Sequence, residues 1–247
     1  YINGRWVTPN STETMPVSNP ATEQKIGRIT LGNGTDVDRA VTAALTAFEE
    51  FSQTSKAQRL SLLLRLKSVT EARFEDLAQA MRLEMGAPIS MARSDQADAA
   101  VGHLQGFIDA LEKLEEQITL ASGDVLVREP IGVCGMITPW NWPMNQIVLK
   151  VVPALATGSC CILKPSEHTP ISAMIYAEII DEAGYPPGVF NLVNGDGPTV
   201  GAALSRHADI QMMSFTGSTR AGIAVTQDAA PTVKRVTLEL GGKSPNL

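Results

Sequence analysis

Apolar residues at Val37, Val41, Ala44, Leu45, Phe48 and Phe51 recur every three or four positions, the stripe of an amphipathic helix laid on a core. Thr35-Asp36-Val37-Asp38 reads as a capping box with Asp in place of Glu, which sets the start of that helix. Helical patterning resumes over 55–85 with one break and stops before Gly86 and Pro88. A third helical stretch covers about 90–116. Residues 1–34 are rich in turn formers, and Tyr1–Val7 reads as a hairpin around Asn3-Gly4.

Near Asp124 the pattern changes. Short β-rich runs, Val125–Thr138, Ser159–Lys164, Gly188–Val193, Ile210–Phe215 and Lys234–Leu240, alternate with helical stretches near 145–156, 170–183, 198–206 and 218–229. Thr169-Pro170 opens one of these helices with proline at its first position, and Gly184 closes it. Alternating strands and helices predict an α/β fold, a Rossmann-like parallel sheet with helices on both faces, preceded by an N-terminal helical layer and a β-hairpin. Ligands of such sheets bind beyond the carboxyl ends of the strands.

The polar residues worth noticing fall at those ends. Pro139-Trp140-Asn141-Trp142-Pro143 follows an apolar strand, and its prolines and tryptophans stiffen the loop. Asn141 there is either a preset amide donor for developing negative charge or a residue that bonds its own loop. Lys164-Pro165-Ser166-Glu167 ends the next strand. Its Lys and Glu either bind a ribose, with the carboxylate favouring NAD over a 2′-phosphate, or form a surface ion pair. Asn194-Gly195-Asp196-Gly197-Pro198-Thr199-Val200-Gly201 approaches the dinucleotide fingerprint with one residue too many before its last glycine; close helix packing is the other reading. Phe215-Thr216-Gly217-Ser218 offers an anion site at a helix start, or an ordinary serine cap. Glu239, after Val236-Thr237-Leu238, is expected in a largely apolar setting that would raise its pKa and suit it to general-base work; a carboxylate bonded to local amides is the alternative. Gly242-Lys243-Ser244 imitates the end of a P-loop, but Thr237 stands where that motif requires glycine.

Composition narrows the field. The chain has 247 residues, 44% hydrophobic and 19% charged, and a net charge of −6, which argues against a nucleic-acid or anionic-membrane partner. No apolar run reaches the length of a membrane span. Cys134, Cys160 and Cys161 have neither disulfide-framework nor zinc spacing, so no metal site is expected and a cytoplasmic setting is the default. Each cysteine sits within a strand and reads as a small packed hydrophobe, not a nucleophile. The chain begins at Tyr1 instead of Met, so its N-terminus is expected to be a cut.

Taken in order, Pro139-Trp140-Asn141, Lys164–Glu167, Gly195–Gly201, Phe215–Ser218 and Leu238-Glu239-Leu240-Gly241-Gly242-Lys243 make the chain resemble the NAD(P)-dependent aldehyde dehydrogenase superfamily over its whole length. The resemblance implies catalytic roles for Asn141, donating to an oxyanion, and Glu239, activating water for thioester hydrolysis. It implies that Ile137, Thr138, Pro139, Trp140, Lys164, Ser166, Glu167, Gly197, Gly201, Phe215, Thr216, Gly217, Ser218 and Leu240 bind the cofactor, NAD with NADP as the second choice. Lys164 and Glu167 would hold the adenosine ribose and Ser218 the pyrophosphate. Trp142, Gln146 and Leu149 would line the path of a small aldehyde substrate, with Gln146 hinting at a polar portion.

The family's nucleophilic cysteine lies well beyond the glutamate of this motif, and only eight residues follow Glu239 here. The chain is therefore expected to be one NAD(P)-binding domain over 1–247, without the catalytic domain, inactive by itself, and with about 120–136 forming part of an oligomerisation hairpin of a homodimer or homotetramer. A non-catalytic nucleotide-binding or scaffold protein and a different nucleotide oxidoreductase remain as rivals.

Overall fold

The computed structural model describes residues 1–243; the Ser244–Leu247 tail of the last motif lies outside them. The stripe beginning at Val37 becomes helix α1 (Gly34–Phe51), with Val37, Ala40, Val41 and Ala44 buried. Its cap lies two residues earlier than the sequence suggests. Asn33 is the N-cap: its side chain accepts the Thr35 and Asp36 N–H groups, and Asp36 accepts the Asn33 N–H at 3.1 Å. A distant segment reinforces this choice, because the Asn10 N–H also donates to the Asp36 carboxylate. The expected single break in 55–85 separates α2 (Lys56–Ala72) from α3 (Phe74–Glu84). The third stretch is composite: a short α4 (Ile89–Met91), a π-helical turn over Ala92–Ala97, and α5 (Asp98–Lys113).

The N-terminal turn at Asn3-Gly4 forms with both residues at positive φ, but it closes only an isolated Ile2–Arg5 bridge. The first true hairpin pairs β1 (Thr14–Ser18) with β2 (Lys25–Thr30) antiparallel. The expected run Val125–Thr138 is two strands. β4 (Val125–Val127) pairs antiparallel with β3 (Gln117–Thr119), while β5 (Val133–Ile137) enters the main sheet. Pro130 lacks an N–H and Gly132 has φ 120°, so the chain between them turns instead of continuing as a strand.

β5, β6 (Cys160–Lys164), β7 (Phe190–Leu192), β8 (Met212–Thr216) and β9 (Arg235–Glu239) form one parallel sheet in the order β7-β6-β5-β8-β9. The connecting helices are α6 (Pro143–Ala156), α7 (Ile171–Glu182), α8 (Ala202–Arg206, preceded by a π-helical turn over Gly197–Gly201) and α9 (Thr219–Ala229). Every residue of β5 and β6 is buried, as expected of parallel strands covered on both faces. The chain winds outward from β5 to β7 and returns to β8 on the other side of β5. The order therefore reverses between β5 and β8, and a crevice is expected at their carboxyl ends.

Candidate functional site

Parallel register brings the strand ends level. Ile137, the last residue of β5, stands opposite Lys164 of β6 on one side and Phe215 of β8 on the other; Thr216 stands opposite Glu239 of β9. At the switch point opens a cleft of about 680 Å³, of the size that takes a small organic ligand. Ile137, Glu167, Gly197, Gly201 and Phe215, all expected at a cofactor site, line it.

Lys164 is 3% exposed, and its Nζ donates to Glu167 at 3.1 Å and to the Pro165 carbonyl at 2.9 Å. Burial pulls the ammonium pKa down, and Glu167 partly restores it. Burial also opposes ionisation of Glu167, but Lys164, a local backbone N–H and His168 together hold its carboxyl below the ordinary value. The cleft therefore presents an anchored carboxylate, the group that accepts ribose hydroxyls and repels a phosphate.

The glycine loop is shaped by packing. A Cβ at Gly195 would meet Val200 Cγ2 at 2.2 Å, whereas one at Gly197 would meet nothing within 4 Å. Asp196 caps the following turn by accepting the Thr199 N–H at 2.7 Å. Ser218 is the N-cap of α9, accepting the Ala221 N–H at 3.3 Å, and it remains exposed; the cap and the anion site are compatible readings of one hydroxyl. Phe215 forms part of the cleft wall, and its ring lies where a side chain at Gly217 would be: a Cβ there would stand 2.6 Å from Phe215 Cζ. Thr216 Oγ1 is buried without a hydrogen-bond partner among the described residues.

Other expected cofactor residues lie around the cleft instead of in its wall. Thr138 and Ser166 are buried, and the Ser166 hydroxyl accepts the His168 N–H at 3.3 Å. Pro139 is half-buried. Leu240 packs where a Cβ on Gly222 of α9 would fall. Trp140, 57% exposed, lines a second cavity of about 710 Å³ beside Glu84, His168 and Thr169.

Asn141 is exposed, and its side chain makes no hydrogen bond among the described residues. The bond that the loop-holding alternative requires is thus not made among the described residues. Glu239 ends β9 in an exposed position in this chain. Its apolar neighbours in sequence do not bury it, because successive strand residues face opposite ways and β9 lies at the sheet edge. All three cysteines are free and buried. Burial pushes the Cys134 and Cys160 thiols up to about 12 and Cys161 well above the ordinary value, so none is a ready thiolate.

Two groups of residues escape the sequence reading. The far wall of the cleft comes from Pro198, Ala202, Ala221 and Ala224, small residues whose only signal is their helical spacing. Lys150 sits at the i+8 position from Trp142 on α6, and its Nζ donates to Ser214 Oγ at 3.2 Å. Burial lowers its pKa to about 8, offset in part by the nearby charge of Glu239. Gln146 and Leu149 lie on α6, with Leu149 exposed, and Trp142 is the N-cap residue that precedes that helix.

The model of the aldehyde dehydrogenase family matches residues 6–247. A 3-succinoylsemialdehyde-pyridine dehydrogenase from a Pseudomonas species is 53% identical, with 100% of this chain covering 52% of that protein. Among solved structures, an aldehyde dehydrogenase from Bartonella henselae superposes with a TM-score of 0.98 at 48% identity, over 100% of this chain and 52% of that one. A variant of aldehyde dehydrogenase C from Pseudomonas syringae, in complex with NAD+ and octanal, gives 0.97 at 52% identity, over 100% and 50%. The chain thus spans about half the length of the relatives it matches. With the family model matching nearly every residue and the fold superposing throughout, this chain belongs to the aldehyde dehydrogenase family.

Proposed function

We propose that this chain is the nucleotide-binding part of an enzyme that oxidises an aldehyde to a carboxylic acid with NAD. The observation that carries the reading is the cleft at the β5/β8 switch point, with the Lys164–Glu167 pair fixed beside it. Its residues fit the cofactor: Glu167 for ribose hydroxyls, an apolar slot of Gly201, Ala202, Ala221 and Ala224 for a flat base, and Ser218 at a helix start for phosphate. The related structures from P. syringae and from Staphylococcus aureus, a betaine aldehyde dehydrogenase with a TM-score of 0.95, are described as NAD+ complexes. When bound, the nicotinamide accepts hydride.

The chain's own residues serve the carbonyl chemistry around that transfer. Asn141 donates its free amide to the oxygen that gains negative charge when a thiolate adds to the aldehyde. Glu239 takes a proton from the water that releases the acid from the thioester. With the chain's own cysteines buried, the nucleophile must come from elsewhere in the whole protein, and these residues alone bind nucleotide without turnover. The exposed Leu120, Val125, Leu126 and Val127 of the β3–β4 hairpin suit a subunit contact in a homo-oligomer. The free cysteines suit a reducing compartment such as the cytoplasm. No helix among the described residues is long and apolar enough to cross a membrane.

The test is calorimetric titration with NAD+ followed by assay of aldehyde oxidation in the intact protein. Nucleotide binding that responds to substitution at Glu167, together with aldehyde-dependent NADH formation, is the expected result. Absence of binding would remove the reading.

A further inference from the structure

α8 and α9 both leave the carboxyl edge of the sheet, after β7 and β8, and pack against each other as they run back along it. Ala221, Ala224 and Asp228 of α9 stand three and four residues apart, which places them on one face, and all three line the cleft. On the facing helix Ala202 and Arg206 are four residues apart and line it too. Below the small residues the two helices are tied by charge: Arg206 Nε donates to Asp228 Oδ1 at 2.9 Å. From Ser218 to Asp228 is ten residues of chain, about 15 Å of helix. The slot between the alanines therefore ends on a carboxylate and a guanidinium, at a depth that takes a sugar and a base in line below a phosphate at Ser218.

The chemistry of that end is directional. The Asp228 carboxylate only accepts, and a hydrogen bond from Arg206 to one oxygen leaves capacity on the pair of oxygens. The Arg206 guanidinium only donates, and its terminal N–H₂ groups reach past the Nε that holds Asp228. An acceptor and a donor thus stand side by side. A side-chain amide presents the same pattern to adenine, whose 6-amino group donates and whose neighbouring ring nitrogen accepts. Hypoxanthine and guanine carry an oxygen at that position, which would set lone pair against lone pair at the carboxylate. The Asp228 side chain is only 20% exposed, so water does little to relieve such a mismatch.

We infer that the Arg206–Asp228 pair selects the base of the dinucleotide. Asp228 accepts the 6-amino group of adenine. Arg206 holds Asp228 in position and donates to the adjacent ring nitrogen. The pair makes the cleft specific for a 6-aminopurine nucleotide, at the opposite end from the phosphate. The inference rests on the nucleotide-binding reading above and adds how the base is chosen.

The test is calorimetric titration of the intact protein with NAD+ and with nicotinamide hypoxanthine dinucleotide, which carries oxygen in place of the 6-amino group. NAD+ is expected to bind about tenfold more tightly. Asp228→Asn keeps the shape and offers an N–H₂ to that oxygen, so it should bring the affinity ratio to unity or invert it. Asp228→Ala should also abolish the preference, and serves if the asparagine variant does not fold. Arg206→Gln, which releases Asp228, should lower the ratio about threefold. Equal affinities in the unaltered protein overturn the inference and leave the nucleotide reading standing. So does a loss of affinity in the Asp228 variants that is the same for both dinucleotides, since the pair would then only tie the helices. Binding of neither dinucleotide overturns both readings.

Discussion

The carboxyl edge of the sheet has two flanks built differently. At the end of β6, Lys164 is sealed in the interior, bonded to Glu167 and to its own loop, on a strand with no exposed residue. At the end of β9, Glu239 stands in solvent on a strand that is mostly exposed, with the Gly217 N–H bonded to its carbonyl and its carboxylate without a hydrogen bond among the described residues. The β6 flank carries its own electrostatics: burial and pairing fix the charge of Glu167 before any ligand arrives. The β9 flank takes its environment from whatever packs against it. A nucleotide site benefits from the first arrangement, because recognition needs a preset geometry. An exposed carboxylate, in contrast, keeps its access to water.

Substitutions should separate the flanks. Glu239→Gln in the intact enzyme should slow acyl-enzyme hydrolysis about 10²–10⁴-fold and leave nucleotide affinity unmoved, as single-turnover and burst kinetics would report. An unaltered deacylation rate removes it as the base. Asn141→Ala is expected to reduce kcat about 10²–10³-fold through loss of one oxyanion donor, again without weakening NAD+ in a titration; a loss confined to cofactor binding would place it on the wrong flank.

The buried flank has a pH test of its own. Glu84 of α3, 3% exposed, accepts the Ile171 and Ser172 N–H groups and the Ser172 hydroxyl at the start of α7, the helix that follows β6. Burial outweighs those donors and raises its pKa from 4.5 to about 7. Since the folded form holds its proton longer than the unfolded one, the contribution is fully present below about pH 4.5 and is lost as pH rises through 7. The difference amounts to about 3 kcal/mol at most. Urea unfolding of Glu84→Gln should lack that decline between pH 4.5 and 7; an identical pH slope in both proteins would contradict it. The smallest effect belongs to Glu167→Ala, which should narrow the preference for NAD over NADP about tenfold. A constant affinity ratio would mean that Glu167 does not meet the 2′-hydroxyl.

The sequence made the periodic parts of this molecule legible. The apolar stripe from Val37 to Phe51 and the alternation after Asp124 correspond to α1 and the parallel sheet, because burial on one face or both imposes those periods. Local ambiguity was settled by distant residues. Asn33-Gly34-Thr35-Asp36 and Thr35-Asp36-Val37-Asp38 both have box spacing, and the Asn10 N–H favours the first by engaging Asp36. Lys164 and Glu167 were visible at a strand end, but their pairing depends on burial that spacing does not encode. Ala221 and Ala224 carry no chemical signal, and only the packing of α8 against α9 makes them a cleft wall. The apolar neighbours of Glu239 in sequence do not by themselves bury it, because successive strand residues face opposite ways.

The bare backbone at Gly217 has a consequence for how the site can vary. The Phe215 ring rests in the space that a methyl group there would claim. Since that ring is also a wall of the cleft, residue 217 works as a spacer on a sliding panel. Any side chain would force that ring to shift, and the cleft wall with it. The shape of the cleft is thus adjustable from the backbone behind its wall, and a binding defect in Gly217→Ala would register as a displaced wall.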